Sequence, residues 1–392
     1  MVILLGALTA FGAMSIDMYL PSLPAIGAGF HTTTGAAQST LASFFIGLSI
    51  GQFFYGPASD RWGRRWPLFA GVAVYVAASA WCALAPSLPS LVAARFLQAL
   101  GGCAGPVIAR AVVRDRFDHR ASARILSQLM LVMGLAPVLA PVAGGALLTV
   151  GGWRATFWVL TGFGAVVGVW MFFALVETRS QATRAQAEGE HPLRAYLALV
   201  RNRSLMGYGL AGAFNSAALF GYITASPALL IQTYHVPAVD FGWVFGANAI
   251  GLIATSQVNA HLLHRHSPET ILMASRPAAI AAAAVLALCA FTGWGGMWGV
   301  LIPLFVVISS FGMVGANTQA TALNIDPARA GSISALLGGV GFAAGALTAG
   351  LTGALQDGTA RPMAGVILAA IVASTAALHF VARPQVAGPQ AE

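Results

Sequence analysis

The sequence predicts an all-α membrane protein of twelve transmembrane helices arranged as two six-helix halves. Composition is the first observation: 58% of the 392 residues are hydrophobic and only 8% are charged, against about 25% charged in a soluble globular chain. The second is the recurrence, along the whole chain, of apolar runs about 20 residues long, the length that crosses hydrocarbon. The third is a polar stretch, Glu177 to Ser204, with five arginines, three glutamates and His191. It divides the apolar runs six from six.

Proline, glycine and charge breaks then bound each element. Val2 to Ile16 lacks the basic n-region and small-residue cleavage site of a signal peptide, so it opens the first span. The expected spans are 2–28, 36–57, 66–85, 89–113, 122–149 and 153–176, then 204–232, 239–262, 269–291, 297–318, 328–354 and 360–382. The domains follow as an N-terminal bundle 1–176, a cytoplasmic linker 177–203 lying partly as helix on the membrane surface, and a C-terminal bundle 204–392. Both termini are expected in the cytoplasm. The fifth and eleventh spans echo each other in small residues, with Gly134, Gly144 and Gly145 in one and Gly338, Gly339, Gly341, Gly345 and Gly350 in the other. Such residues let helix backbones approach closely in lipid.

The formal net charge is +8, and all twenty basic residues are arginine. They gather on alternate loops: Arg61, Arg64 and Arg65, then 110–124, 179–203, Arg265 and Arg276. Positive-inside topology explains this distribution, with membrane lipids rather than nucleic acid as the partner. Without lysine, a Walker-type phosphate loop and Schiff-base chemistry are excluded. Cys82, Cys103 and Cys289 all fall in apolar segments and read as packing residues. His261, His264 and His266, beside Arg265, read as a solvated turn rather than a metal site. No enzyme and no cofactor is expected.

Three constellations carry the chemistry. Asp17 is the one acid well inside an expected span, where an ionised carboxylate is costly and therefore faces a cavity, meets a cation or takes up a proton. Arg95, near the middle of its hydrophobic stretch, is the expected cationic partner, with Gln98 one turn along on the same face. Gly56-Pro57-Ala58-Ser59-Asp60-Arg61-Trp62-Gly63-Arg64-Arg65 is a charged turn between two membrane-length runs. Tyr19, Phe45, Asn215, Tyr222 and Asn248 are polar or aromatic residues inside spans, suited to lining a cavity for a hydrophobic ligand.

That decapeptide is similar to the signature loop of the major facilitator superfamily, G-x-x-x-D-R-x-G-R-R. Asp17-Met18-Tyr19-Leu20-Pro21-Ser22-Leu23-Pro24 resembles the first-helix signature of its Bcr/CflA drug-resistance subfamily. Arg95 to Gly102 resembles the fourth-helix motif R-x-x-Q-G-x-G, with Ala99 in place of a glycine. Leu135 to Gly145 resembles the fifth-helix antiporter motif, G-P-x-x-G-G, with Ala140 replacing its first glycine. Asn317 and Ala330-Gly331-Ser332-Ile333-Ser334-Ala335-Leu336 also look like this subfamily.

The resemblance implies a drug:proton antiporter of the inner membrane, a monomer that exports small hydrophobic, phenicol- or bicyclomycin-like drugs by alternating access. Asp17 would carry the proton beside Arg95, with Gln98 in the cavity. Gly56, Asp60, Gly63, Arg64 and Asp115 would form a cytoplasmic gate latch. Pro137, Pro141, Gly144 and Gly145 would form the bend that favours export. Thr9 stands where some such exporters carry a second acid, which argues against coupling to more than one proton. An uptake or metabolite transporter on the same fold, and a non-transporting membrane receptor, stay open as alternatives.

Overall fold

The computed structural model describes residues 1–179, 192–326 and 329–382, and every regular element among them is helical. Part of the expected linker, residues 180–191, lies outside the described residues. Eleven helices among those described are long and apolar enough to cross a membrane. The first four are Val2–Gly29, Thr34–Trp62, Arg65–Leu84 and Leu88–Arg116. Arg124–Ala174 follows, then Arg203–Thr233, Phe241–Leu262, Pro268–Thr292, Gly296–Ile325, Ala330–Ala354 and Arg361–Ala382.

Arg124–Ala174 holds the two spans expected at 122–149 and 153–176. Its 51 residues would run about 76 Å as one straight helix, more than twice the hydrocarbon thickness of about 30 Å. The break comes at Gly152, whose φ of +66° belongs to the left-handed region where only glycine is comfortable. Below, these two pieces are the fifth and sixth spans, and Arg203–Thr233 is the seventh.

Two spans are interrupted by proline. Pro21 has no N–H to give to the carbonyl four residues back, and that carbonyl belongs to Asp17. The helix Val2–Asp17 accordingly ends there, a short 3-10 turn covers Leu20–Ser22, and a second helix runs over Leu23–Gly29. Pro106 removes the same bond from Gly102, and the fourth span divides into Leu88–Gly102 and Ala104–Arg116.

The first six spans pack largely on one another, as do the last six. Two seams join the groups: the second span runs along the eleventh, and the fifth along the eighth. Close backbone contact makes these seams possible. Gly242 sits against the Val142 backbone and Gly246 against Val138, while Gly339 receives the Phe53 ring. Ser49 donates to the Gly339 carbonyl at 2.8 Å.

Arg276 departs from the sequence reading. It was counted with the loop arginines although the expected span 269–291 contains it, and it lies within the ninth span at 2% exposure. Its flanks, Ile271-Leu272-Met273 and Pro277 to Leu288, are apolar enough to carry it into the helix, and its Nε and Nη2 find no hydrogen-bond partner.

Gly105 lies directly on the Leu8 backbone and sets how closely the first and fourth spans approach. Gly105→Val should separate them and cost about 1–3 kcal/mol, the usual range for overpacking. A lowered midpoint of thermal unfolding in detergent would register it.

Candidate functional site

Asp17 ends the first helical segment at the proline break, 4% exposed. No hydrogen bond or ion pair engages its carboxylate among the described residues. The neighbouring Met18 carbonyl rests on Gly144 of the fifth span, where a Cβ would not fit. Across the divide between the two groups of spans, the Leu20–Ser22 turn that follows Asp17 packs on the seventh span. Asn248 donates to the Tyr222 hydroxyl at 3.0 Å, and the Tyr222 ring stacks on Phe245.

Arg95 is completely buried, but the expected pair with Asp17 is not formed. Its Nη1 donates to Gln98 Oε1 at 2.6 Å, and Gln98 Nε2 is tied in turn to Ser79 Oγ at 2.8 Å. The guanidinium lies 4.0 Å from the Phe44 ring centroid and 4.6 Å from that of Tyr19. Its Nε and Nη2 have no hydrogen-bond partner. The reason for the difference is local. A rigid amide one turn along the same helix and two aromatic faces hold the fork inside the N-terminal group of spans. Aromatic faces attract a desolvated cation by about 2 kcal/mol, whereas a buried ion pair must first repay the desolvation of both charges.

Tyr19 belongs to this closed cluster rather than to the space between the groups, since its hydroxyl meets Thr40 Oγ1 at 2.6 Å and its ring approaches Phe157. Phe45 does reach across. Its ring centroid lies 4.4 Å from Phe220, which in turn faces Phe342 at 5.6 Å. Asn215 is buried with its Oδ1 unpartnered. The fifth-span motif divides its work: Gly144 faces Asp17's segment, and Gly145 faces Ala238 and Val239 before the eighth span. Pro137 and Pro141 lie inside the same helix.

The charged turn folds into a compact latch. Arg64, 2% exposed, bonds the Asp60 carboxylate, Ser59 Oγ at 2.9 Å and, through Nε, Asp115 Oδ2 at 2.7 Å. It therefore joins the end of the second span to the end of the fourth. Sequence reasoning missed Glu177, which accepts from the Arg64 and Arg65 backbone N–H groups at 2.9 and 3.2 Å. Arg179 then donates to the Asp60 and Arg61 carbonyls at 3.2 and 2.6 Å. Gly63 makes this closure possible, because its φ of +91° suits glycine alone and a side chain there would run into the Glu177 carboxylate. Gly56 has no such role, as a Cβ there would meet open space. Partial burial pushes the Glu177 carboxyl up, but N–H donors from Arg64, Arg179, Arg65 and Thr178 outweigh it and hold the carboxyl below the usual range.

In the C-terminal group an uncharged counterpart joins the eighth and tenth spans. Asn317 Nδ2 donates to Asn259 Oδ1 at 2.7 Å, and Asn259 returns a bond at 3.3 Å. The paired amides are buried and neutral, so this tie does not depend on titration.

A helical bundle with two seams, a buried carboxylate between its parts and a charged latch at one face defines a membrane transport protein, not an enzyme. The profile of the Major Facilitator Superfamily matches residues 4–350. The chain belongs to that superfamily, within its drug-resistance subfamily. It is 33% identical to the uncharacterized MFS-type transporter YdgK of Bacillus subtilis, over 98% of this chain and 95% of that protein. It is 30% identical to a bicyclomycin resistance protein homolog of Haemophilus influenzae, over 97% and 95%. Among solved structures, a POT family transporter in complex with 5-aminolevulinic acid superposes with a TM-score of 0.75 at 12% identity, covering 97% and 96% of the two chains. A D-xylose-proton symporter gives 0.73 at 15%, with the same coverage. At these identities the solved structures speak to the fold alone.

Two predictions concern the latch. Gly63→Ala should cost about 1–3 kcal/mol of local strain and release Glu177, which faster amide exchange at Arg64 and Arg65 would reveal. Because the folded Glu177 carboxyl titrates below its unfolded value, its contribution is complete above the ordinary glutamate range. It disappears as pH falls through the depressed value. Exchange protection at Arg64 and Arg65 should therefore decay on acidification, and should be absent at every pH in Glu177→Ala.

Proposed function

We propose that the protein exports small hydrophobic drugs in exchange for protons, by alternating access. The observation that carries this reading is Asp17. A carboxylate enclosed at a helix break, unpaired, and facing the divide between two groups of spans is expensive unless it exchanges a proton. The names of relatives agree: one is a bicyclomycin resistance protein homolog, and another, from Klebsiella pneumoniae, is multidrug resistance protein MdtL at 27% identity. The aromatic set Phe45, Phe220 and Phe342 offers apolar surface to a drug in the same divide.

In this mechanism the arginine-bearing face is cytoplasmic. Proton uptake from outside neutralises Asp17, and the drug departs. Drug entering from the inner face favours release of that proton to the cytoplasm. Gly144 transmits the change, because movement of the Asp17–Met18 segment must carry the fifth span with it, and Gly145 bears on the C-terminal group. Arg64 with Asp60 and Asp115 holds the inner ends of the second and fourth spans together and opens with the inner face. One proton suffices energetically. At about 100 mV and one pH unit it supplies about 3.7 kcal/mol, enough for a gradient on the order of a few hundredfold for a neutral drug.

The test is drug-triggered proton movement in respiring everted vesicles, using phenicols, bicyclomycin-like compounds and lipophilic cations. The wild-type protein should alkalinise the vesicle interior on drug addition, and Asp17→Asn should insert normally yet give no such signal. Gradient-driven transport that survives in Asp17→Asn would overturn the proposal. Arg64→Ala should insert normally and transport several-fold more slowly; an undiminished rate would leave the arginines a topological role only.

A further inference from the structure

A short helix, Pro192–Arg201, precedes the seventh span and lies outside the eleven crossing helices. Asn202, in extended conformation, separates the two and caps the span by accepting the Leu205 N–H at 3.1 Å. One side of the short helix is buried. Leu199 is 3% exposed and joins an apolar cluster with Leu205 and Tyr208 of the seventh span, Leu272 of the ninth and Ile333 of the eleventh. One turn back, the Tyr196 ring meets Phe53 of the second span edge-on, with centroids 5.5 Å apart. Phe53 is the ring that Gly339 of the eleventh span receives. The helix is thus anchored in the C-terminal group while its tyrosine touches the N-terminal one.

The next side round is open. Leu197 is 60% exposed and Val200 47%. At about 100° per residue these two share a strip beside the buried one, and Arg201 follows beyond Leu197. From Pro192 to Arg203 the chain has three arginines and no acid. Arg201 and Arg203 are both exposed. Arg201 has no hydrogen bond or ion pair among the described residues, and Arg203 gives only its Nη2, to the Phe380 carbonyl at 3.1 Å. An exposed apolar strip bordered by arginines, beside the point where the seventh span begins, suits a helix lying in the membrane interface. Its apolar residues then reach the acyl chains and its cations the phosphates. Zwitterionic headgroups bring no net charge to balance the arginines; anionic ones do, at about 1 kcal/mol for each.

We propose that this helix is a docking site for anionic phospholipid on the arginine-bearing face, with Arg201 and Arg203 on the headgroup phosphate and Leu197 and Val200 among the upper acyl carbons. Lipid seated there presses the helix onto the bundle and keeps Tyr196 on Phe53. The charge of the leaflet therefore sets how firmly the linker holds the second span. Neither the site nor the contact depends on what the protein transports.

The test uses the full chain in lipid nanodiscs, with Leu197→Cys carrying an environment-sensitive bimane. The unsubstituted protein, whose cysteines Cys82, Cys103 and Cys289 are buried, is the blank. Graded replacement of phosphatidylcholine by phosphatidylglycerol should move the emission to the blue and then saturate. Arg201→Gln should raise the phosphatidylglycerol fraction at half the shift about fivefold, the equivalent of about 1 kcal/mol. Val200→Cys is the second reporter position should Leu197→Cys fail to fold. Amide exchange around Phe53 should slow as phosphatidylglycerol is added. That slowing should vanish in Tyr196→Ala, which keeps the bimane response. Equal emission in the two lipids, or an unmoved half-point in Arg201→Gln, would overturn the site. The same shift produced by inorganic phosphate in phosphatidylcholine discs would assign the arginines to a soluble anion and overturn the lipid. Exchange around Phe53 that ignores phosphatidylglycerol, or that still follows it in Tyr196→Ala, would overturn the coupling.

Discussion

Close approach of helix backbones is the constraint on which this structure depends. Lipid tails are as apolar as leucine, so burying more leucine joins no two helices in a membrane; dispersion contact and polar ties must do it. The chain meets this need with a subset of its 45 glycines, set where another backbone arrives. Gly47 receives the fourth span, Gly105 the first, Gly144 the carbonyl next to Asp17, and Gly207 the backbone of Ala382. At Gly144 the same contact that holds helices together also places the proton-binding candidate against the fifth span. Packing and coupling share one interface there.

The charged groups follow a complementary logic. At the arginine-rich face, Arg64 is buried but satisfied, with two carboxylates and a hydroxyl around its fork and Glu177 gathering the backbone donors beside it. Within the spans, Arg95 and Arg276 keep donors without partners, and Asp17 keeps a carboxylate without one. A membrane chain keeps such groups only where something else requires them, because each is costly alone in hydrocarbon. The contrast separates a latch whose charges are fully partnered from buried groups that keep polar atoms unpartnered.

Much of this was legible in the chain. Twelve spans followed from length and hydropathy. The break at Asp17, where Pro21 strips a carbonyl of its helical donor, was written in the chain but not read from it, since the first span was expected unbroken over 2–28. Gly63 and the pair Asp60 and Arg64 were marked as a turn by charge and spacing. Other features were not legible, for identifiable reasons. Arg95 was paired with Asp17 because both are charged and buried, but a guanidinium can be held by an amide and ring faces whose positions no one-dimensional spacing reveals. Glu177 joins the latch across more than a hundred residues of chain. Arg276 was grouped with the loop arginines by charge alone, although the expected span 269–291 already contained it.

The sequence by itself determined the helical class, the number of crossings, the proline and glycine breaks, and the face that carries the arginines. All of these follow from local backbone rules and from the cost of moving charge into hydrocarbon. Only the tertiary structure decided which side chain meets which. Gln38 found Gly353 and Gln356 found Gly35 across more than three hundred residues, Arg95 was bonded to Gln98 rather than to Asp17, and Asn259 was paired with Asn317. Such meetings depend on the crossing angles and offsets of helices packed together. Those are set by the fit of all the contacting surfaces at once and by no single stretch of chain.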